Sequence, residues 1–240
     1  MQQKKLKSIS KRLFDLFFAL SGLLILWPFG LLIALAVKLT SKGPVFYKQS
    51  RIGQFGKPFT CIKFRTMYIG SDKQGSITAA SDSRITPVGK FLRRYKLDEF
   101  PQLLNVLIGR MSFVGPRPDV PGYADKLTGK ERKILELKPG ITGPASIYFR
   151  NEEKILAGVD NPVKYNDEVI WPKKVKINLE YYHKSNLLRD IRYIIVTVVP
   201  GLGGAGGGEG EISPQRHRGH GEEERGEILP QRHRGHRGEK

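Results

Sequence analysis

The longest hydrophobic stretch of the chain lies near its N-terminus. Residues 16–37 contain no charged side chain. As a helix that rises ~1.5 Å per residue, this stretch is about long enough to cross the hydrocarbon core of a bilayer. It is also longer than the apolar region of a signal peptide. The pattern therefore predicts a membrane helix over residues 13–40, preceded by a basic N-terminal segment over residues 1–12.

Two features of this helix favour a path that enters the membrane and returns. Pro28 lies near its middle, where a proline removes a backbone donor and bends a helix. Basic residues flank the apolar stretch equally on both sides, whereas a spanning helix is oriented by a difference in Lys and Arg between its ends. We predict a re-entrant helix kinked at Pro28, and a single-pass helix with a tolerated proline is the alternative. Asp15 is expected to pair with Arg12 or Lys11 at the interface.

The next segment alternates apolar and polar residues in two short runs. Residues 45–49 and 59–64 have the period of two that is typical of β-strands, and the Gly/Pro-rich residues 53–58 connect them. The pattern predicts a β-hairpin. Lys63 and Arg65 fall on one face of its second strand. Two basic side chains there form either a solvated surface or part of a site for an anion, so both are candidate phosphate-binding residues.

The remaining segments alternate between polar loops and helical patterns. Residues 67–87 are rich in Gly, Ser, Asp and Thr and predict a mobile loop. Residues 141–153 predict irregular or short-stranded structure, and residues 161–174 a loop and turn. Helices are predicted over residues 88–97, residues 130–137 and residues 173–199, the last broken near Ser185 and Asn186.

The final part of this last helix has an apolar side. Its arginines and its aspartate lie off that side, which suits an amphipathic helix on a membrane surface. Packing on the protein's own core is the alternative. The apolar positions are Leu187, Leu188, Ile191, Ile194, Ile195 and Val198.

The charge of the chain indicates an anionic partner. The formal net charge is +18, yet residues 202–240 carry seven Lys or Arg and seven Glu, so the whole excess lies in the first part of the chain. Nucleic acid, a phospholipid surface and a phosphorylated substrate all fit such a charge. Cys61 is the single cysteine, which excludes an intrachain disulfide and fits a reducing compartment.

The C-terminal segment differs from the rest in composition. A Gly-rich linker precedes two near-identical copies of a PQRHRGH segment, which carry four of the five histidines of the chain. These residues contain too little apolar surface to fold, so residues 200–240 are predicted to be disordered. Loose metal binding or RNA contact by the histidines is the alternative to a tail without a catalytic role.

Two adjacent carboxylates, Asp98 and Glu99, stand before an apolar helical segment that ends near Ile108. Asp98 is predicted to cap this helix. Arg93 and Arg117 belong to a group of basic residues near the same helix end, which is a typical site for phosphate. Positive neighbours would keep Asp98 ionised, as a carboxylate nucleophile that attacks phosphorus requires. The second carboxylate next to it is suited to hold Mg²⁺.

The segment GPRPD places Arg117 between Pro116 and Pro118. Because both prolines have fixed φ angles, little conformational entropy is lost when the guanidinium binds a phosphate. Taken alone, the turn is equally explained as a rigid surface feature.

These motifs together resemble a known family. The order KRLFDL, a kinked apolar stretch, GPVFYKQSRIG, KPFTCIKFRTM, GKFLRRYKLDEFPQLLNVLIGRMSFVGPRP and KPGITG is similar to that of the bacterial sugar transferases. These are the monotopic polyprenyl-phosphate phosphoglycosyl transferases. The resemblance covers about residues 10–199 and is to the small form, which lacks preceding membrane spans. One departure is Trp27, where the family often has a small residue before the kink proline.

The resemblance implies a specific reaction. The aspartate of the family's Asp-Glu dyad, which matches Asp98-Glu99, attacks the β-phosphate of a UDP-sugar and releases UMP. Polyprenyl phosphate then accepts the phosphosugar in a reaction that requires Mg²⁺, and downstream glycosyltransferases take over the product. Arg93, Arg117 and, less directly, Arg150 match functional arginines of the family. The resemblance also implies a re-entrant helix broken at Pro28 with both ends in the cytoplasm.

The sequence therefore predicts an α+β fold, mainly helical and membrane-associated. It comprises an N-terminal re-entrant helix, a small β-hairpin and interfacial amphipathic helices, with a catalytic domain over residues 41–199. We expect it on the cytoplasmic face of the bacterial inner membrane, in contact with membrane lipids, initiating exopolysaccharide, O-antigen or glycoprotein glycan assembly. The rival is a non-enzymatic, membrane-anchored basic protein that binds nucleic acid or acidic lipid. The sequence has no recognisable nucleic-acid-binding motif, so we expect no nucleic-acid partner.

Overall fold

The computed structural model describes residues 2–71 and 82–199, with side chains from Ile9 onward. The predicted disordered tail and the middle of the predicted loop over residues 67–87 lie outside the described residues. Helix α1, Gln2–Thr40, contains the apolar stretch and continues through Pro28 without interruption. Pro28 therefore does not divide α1 into two separate helices. Within the described residues, one helix is long and apolar enough to cross a membrane, and this is the Ile9–Thr40 part of α1.

One side of α1 packs against the rest of the protein along most of its length. Ala19 and Val37 are fully buried in two different apolar clusters of the domain. Two glycines between these positions allow α1 to approach the domain closely. A β-carbon on Gly22 would lie 3.2 Å from Leu103, and one on Gly30 would lie 2.9 Å from Phe100. The opposite side exposes many large apolar side chains, among them Phe17, Leu24, Ile25, Trp27, Phe29, Leu31, Leu32 and Leu35. An uncovered apolar surface of this extent is consistent with membrane association.

The N-terminal part of α1 is fixed by polar contacts that differ from the predicted ones. Asp15 is buried and accepts hydrogen bonds from the Ser112 hydroxyl (3.1 Å) and the Phe113 backbone N–H (3.0 Å). Lys11 instead forms an ion pair with Asp190, 179 positions further along the chain. The predicted pairing of Asp15 with Lys11 or Arg12 at the interface is therefore wrong. The buried carboxylate joins α1 to the domain rather than marking the membrane surface.

The predicted hairpin is confirmed. Strands β1 (Phe46–Ile52) and β2 (Pro58–Phe64) pair antiparallel from Phe46↔Phe64 to Ile52↔Pro58. The first strand extends three residues beyond the predicted run because Gly53 begins the turn only after Ile52. The side chain of Asn105 holds the hairpin against the following helical layer, since it accepts from Ile62 N–H (3.1 Å) and donates to the Thr60 carbonyl (2.8 Å).

The central elements are short. Helix α2, Pro87–Arg94, begins with a Thr86 side chain that accepts from Gly89 N–H (2.9 Å). A single 3₁₀ turn, Leu97–Glu99, leads into α3, Gln102–Leu107. The helix predicted over residues 130–137 is a 3₁₀ segment, Glu131–Glu136, and a further 3₁₀ turn spans Ala124–Lys126.

Two further strands, β3 (Ser112–Val114) and β4 (Gly140–Thr142), form a small parallel pair. Glycines permit this pairing at very close range, because a β-carbon on Gly115, Gly140 or Gly143 would overlap with backbone atoms of the opposite segment. The KPGITG and GPRPD segments are thus packed backbone to backbone. The sequence 141–153, predicted to be irregular, also contains helices α4, Pro144–Tyr148, and α5, Glu152–Ala157.

The C-terminal part is more helical than the sequence predicted. The loop predicted over residues 161–174 is wrong: α6, Pro162–Tyr165, runs through a π-helical segment, Asn166–Ile170, into α7, Trp171–Lys184. Pro162 stands in the first turn of this helical run, where the missing N–H has no helical partner to lose.

The break near Ser185 and Asn186 is confirmed, since Asn186 caps α8, Leu187–Val198, by accepting from Arg189 N–H (2.9 Å). Asp190 faces the domain. It is buried and accepts hydrogen bonds from Lys11 and from the Tyr181 hydroxyl (2.6 Å). Four apolar residues on other sides of the helix are exposed, so the apolar face of α8 is not fully buried in the protein's own core. They are Leu188, Ile191, Ile195 and Val198.

Candidate functional site

The 3₁₀ turn Leu97–Glu99 places the adjacent carboxylates of Asp98 and Glu99 in the interior. The turn follows Lys96, which has a left-handed backbone (φ 57°, ψ 21°) and directs the chain sharply inward after α2. The Asp98 and Glu99 residues are only 8% and 7% exposed. The prediction that Asp98 caps α3 is wrong, because the cap position is occupied by Pro101 and Asp98 makes no capping hydrogen bond. Neither carboxylate is therefore used to begin a helix.

Glu99 is held by two basic side chains from different parts of the chain. Lys63 donates to its Oε1 (3.1 Å), and Arg117 donates to both carboxylate oxygens. Burial alone would raise the pKa of Glu99, but the charges of Arg117 and Lys63 outweigh it and hold that pKa well below its usual range. Glu99 is thus a permanent anion that positions Lys63 and Arg117. The sequence predicted both as phosphate-binding residues and did not indicate that they bind Glu99.

Asp98 differs sharply from its neighbour. Its Oδ1 is buried and has no hydrogen-bond partner among the described residues. Burial raises the pKa of Asp98, and the nearby charge of Glu99 raises it further, whereas Lys63, Lys96 and Arg117 act in the opposite direction. Burial is therefore the largest influence on the pKa of Asp98, and the positive neighbours oppose the shift without cancelling it. That Asp98 is ionised stays a prediction. An unpartnered buried carboxylate oxygen is costly, and such atoms occur where a ligand or reaction requires them.

The Pro-Arg-Pro turn is fixed by backbone contacts on both sides of Arg117. The Pro116 carbonyl accepts from Gly140 N–H (2.8 Å), and the Pro118 carbonyl accepts from the Arg51 guanidinium (3.0 Å). The Asp119 carbonyl accepts from Ile52 N–H (2.9 Å), at the end of β1. The turn is therefore a rigid support that aims Arg117 at Glu99, rather than an isolated surface feature.

The other predicted arginines have partners of different kinds. Arg93 donates to Glu153 (2.6 Å), so its guanidinium is held by the first turn of α5. Arg65 binds the Ser41 and Lys42 carbonyls and the Ser41 hydroxyl just after α1. Arg150 donates to the Val196 carbonyl (2.8 Å) near the end of α8. In the described structure, Lys63 and Arg117 contact the dyad directly, whereas Arg65 and Arg150 bind helix ends.

Several charged residues near the dyad were not singled out from the sequence. Glu152 pairs with Lys174 of α7 (2.8 Å), beside the Arg93–Glu153 pair. Asp119 lies two residues after Arg117, and burial raises its pKa to about 6 although Lys174, Arg51 and Arg117 oppose the shift. The GPRPD motif contained the signal for Asp119. The α5 glutamates lie more than 50 positions from the dyad, so only the fold brings them near.

The raised pKa of Asp119 leads to an expected pH dependence of stability. The folded state binds this proton more tightly than the unfolded chain, whose ordinary pKa is 3.8. The corresponding stabilisation is complete below that value and is lost as the pH rises through about 6. Asp119→Asn lacks this titration. Between pH 4 and pH 7, thermal unfolding should show the Tm of the wild type falling relative to the variant by about 5–10 °C. A constant difference would refute a buried, titrating Asp119.

The site offers a metal ion only part of a ligand set. Within residues 2–71 and 82–199, no group of three His, Cys, Asp or Glu side chains could hold a metal ion. The unpartnered Oδ1 of Asp98 suits a hard cation, whereas the Glu99 oxygens are already bound by Lys63 and Arg117. Mg²⁺ is commonly bound by one or two carboxylates together with water and substrate phosphates. The donors present fit that mode, with Asp98 Oδ1 as the ligand that no described residue occupies.

The long apolar helix is consistent with membrane association. The buried carboxylate pair and its basic side chains suit phosphate-bearing ligands. The chain belongs to the bacterial sugar transferase family, whose model matches residues 6–203. The match includes α1, the hairpin, the dyad, the Pro-Arg-Pro turn and α8.

Curated relatives share this region. The chain is 40% identical over 201 residues to a UDP-glucose:undecaprenyl-phosphate glucose-1-phosphate transferase of Xanthomonas campestris pv. campestris, covering 81% of this chain and 39% of the relative. The protein of the same name from Escherichia coli (strain K12) is 39% identical over 201 residues, covering 80% and 40%. The exopolysaccharide production protein PSS of Rhizobium leguminosarum bv. phaseoli is 38% identical over 202 residues, covering 81% and 96%. The chain thus spans about two fifths of the two UDP-glucose transferases.

Proposed function

We propose that the protein transfers a phosphosugar from a UDP-sugar to polyprenyl phosphate, with Asp98 as the nucleophile. The observation that carries this proposal is the buried Oδ1 of Asp98. It has no hydrogen-bond partner in the part of the chain that the structure describes, although two basic side chains bind the adjacent carboxylate. The names of the two UDP-glucose relatives supply the substrate classes. A carboxylate with a raised pKa is also a stronger nucleophile in its ionised form than an ordinary one.

The proposed reaction has two displacements at one phosphorus atom. First, a carboxylate oxygen of Asp98 forms a bond to the β-phosphorus of the UDP-sugar. The bond from that phosphorus to the bridging oxygen breaks, and UMP leaves with this oxygen. Second, a phosphate oxygen of the polyprenyl phosphate bonds to the same phosphorus, and the Asp98–phosphorus bond breaks. The sugar phosphate is then joined to the lipid through a diphosphate, and the Asp98 carboxylate is regenerated.

The neighbouring residues have separate roles in this proposal. Glu99 fixes Lys63 and Arg117 in positions where their remaining N–H groups bind phosphate oxygens of the substrates. Arg93 joins them once its contact with Glu153 is exchanged for a phosphate. Asp98 would hold Mg²⁺. Glu99 could become a second ligand only if Lys63 or Arg117 released one of its carboxylate oxygens. When bound, the metal offsets charge on the phosphate oxygens.

We further propose that α1 enters the membrane from one side and returns to it. Arg12 in the N-terminal part of α1 donates to the carbonyls of Val106 (2.6 Å) and Leu107 (2.8 Å), at the end of α3. Near the other end, Val37 is buried against Phe64 and Leu92. Because the same folded body holds both ends, a straight crossing would require that body to extend through the bilayer. The proposed location is the cytoplasmic face of the bacterial plasma membrane, where UDP-sugars are available.

Cysteine labelling tests this topology. Single variants Ile9→Cys and Leu39→Cys, made in a Cys61→Ser background, place a thiol at an exposed position near each end of α1. In sealed vesicles, a membrane-impermeant maleimide should label both positions from the same side, in equal proportion. The unsubstituted Cys61→Ser protein is the control for background labelling. Labelling of the two positions from opposite sides would establish a spanning helix instead.

The activity itself is tested by measuring UMP. Detergent-solubilised protein is incubated with Mg²⁺, polyprenyl phosphate and each of a panel of UDP-sugars, and released UMP is assayed. Turnover of one or a few UDP-sugars is expected, and it names the sugar. The absence of UMP with every donor, together with salt-sensitive nucleic-acid binding, would favour the non-enzymatic alternative.

A further inference from the structure

Lys96 has a backbone conformation that a lysine adopts at a cost. It follows Tyr95, the C-cap residue of α2, and has a positive φ (57°). This position after a helix is usually occupied by glycine or asparagine, because a β-carbon is crowded in the left-handed region. Strained residues of this kind cluster at functional sites, where the side chain compensates for the strain.

The basic side chains around the dyad are mostly occupied. Lys63 and Arg117 bind Glu99, and Arg93 binds Glu153. Lys96 is exposed, and its ammonium group makes no hydrogen bond or ion pair with any residue in the described part of the chain. It still acts electrostatically on both Asp98 and Glu99, so it lies within reach of the site. An incoming anion can therefore meet Lys96 without breaking an existing ion pair.

The surroundings of Lys96 indicate which anion arrives there. Its two neighbours in sequence, Tyr95 and Leu97, are exposed, and so is Phe91, whose ring lies 4.9 Å from that of Tyr95. Phe100, on the same turn, packs against Gly30 of α1. Lys96 thus lies between two exposed apolar side chains in sequence, two residues before Asp98, on a turn whose Phe100 contacts α1. This combination of apolar side chains and a free positive charge suits a phosphate attached to a membrane-embedded chain.

We propose that Lys96 binds the terminal phosphate of the polyprenyl phosphate acceptor and guides it to the Asp98-bound phosphosugar. This inference rests on the proposed function, and it assigns to one residue the recognition of the lipid substrate. The ammonium group contributes a charge-assisted hydrogen bond to a phosphate monoester. It is needed in the second displacement, whereas the first displacement uses the soluble donor.

Separate measurement of the two half-reactions tests the proposal. In Lys96→Gln at pH 8, the KM for polyprenyl phosphate should rise about 10- to 100-fold, the range expected for loss of one charged hydrogen bond. UMP release from the donor in a single turnover without acceptor should change less than about 3-fold. Lys96→Arg should keep most of the acceptor affinity. Lys90→Gln removes a positive charge from an exposed position on α2, the helix that precedes Lys96, and should leave both half-reactions unchanged.

A second variant separates charge from backbone strain. Lys96→Gly relieves the left-handed strain and should raise the Tm by about 2–4 °C. It should nevertheless lose acceptor affinity as Lys96→Gln does. A glycine variant that is more stable and retains the wild-type KM for the acceptor would show that Lys96 has no role in binding.

The failure of this inference is distinguishable from failure of the proposed function. If the wild type turns over but Lys96→Gln alters only the KM for the UDP-sugar, the assignment to the lipid acceptor is wrong. If the wild type shows no turnover, direct binding of a short-chain polyprenyl phosphate in detergent still tests whether Lys96 binds the lipid phosphate. About 10- to 100-fold weaker binding by Lys96→Gln supports the lipid-phosphate site, and equal binding by both proteins overturns it.

Discussion

Asp98→Asn is expected to abolish UMP release, with a loss of at least about 1000-fold in the donor half-reaction. Asparagine has nearly the same shape but offers no ionised oxygen to form a bond with phosphorus. Single-turnover assays with UDP-sugar and without acceptor measure this step directly. Because burial raises the pKa of Asp98, the ionised carboxylate costs stability in the folded state. The variant should therefore unfold at an unchanged or higher temperature.

The stability measurement makes the result interpretable. If Asp98 is kept for function at a cost to stability, the Asp98→Asn protein should be inactive and more stable than the wild type. Glu99→Gln is the matched comparison, because it removes a charge from the adjacent residue that binds Lys63 and Arg117. It should weaken turnover, lower stability and alter the Mg²⁺ dependence. Unchanged turnover in Asp98→Asn would remove the nucleophile assignment.

Gly140→Ala should have the largest effect on stability. Its β-carbon would overlap with the backbone nitrogen of Gly115 and the carbonyl of Thr142, and backbone atoms cannot move aside as a flexible side chain can. We expect a loss of about 3 kcal/mol or more, seen as a Tm lower by about 6–12 °C. Because Gly140 also donates to the Pro116 carbonyl, the support of Arg117 should be disturbed and activity should fall.

Gly158→Ala is the control for the glycine substitution itself. Gly158 ends α5 with negative φ (−96°), and its nearest contacts would be carbonyl oxygens at 3.6 and 3.8 Å, an ordinary separation. Its Tm should stay within about 2 °C of the wild type. Equal stability of both alanine variants would mean that β3 and β4 do not approach as closely as described.

Local patterns were sufficient where the structure depends on neighbouring residues. Period-two alternation and a Gly/Pro-rich connection defined the hairpin, and Asn186 marked the start of α8 because its side chain caps that helix. The dyad and the Pro-Arg-Pro turn were also recognisable, since paired carboxylates and a rigid arginine are unusual combinations. Arg117 was expected near the dyad, and the structure places it there. Lys63 was only a candidate phosphate-binding residue, and its contact with Glu99 is known from the fold alone.

Features that depend on distant contacts were not predictable. Lys11 and Asp190 form their pair across 179 positions, so α1 was expected to use the nearby Asp15 instead. Residues 161–174 appeared to be a loop because of their prolines and polar residues, yet Ile170 is fully buried in a cluster with Phe149 and Leu156 that favours helix there. The raised pKa of Asp98 was not predictable either, because its largest cause is burial, which only the fold produces.

The most direct test of the covalent mechanism is the mass of the peptide that contains Asp98. The protein is incubated with Mg²⁺ and the UDP-sugar that supports turnover, without acceptor. The reaction is then quenched, the protein is digested, and the peptide masses are measured by mass spectrometry. The proposed mechanism gives a peptide heavier by one sugar phosphate, absent in Asp98→Asn and lost again when polyprenyl phosphate is added before the quench. Stoichiometric UMP release with this peptide unmodified, or with the sugar phosphate on another residue, would contradict it.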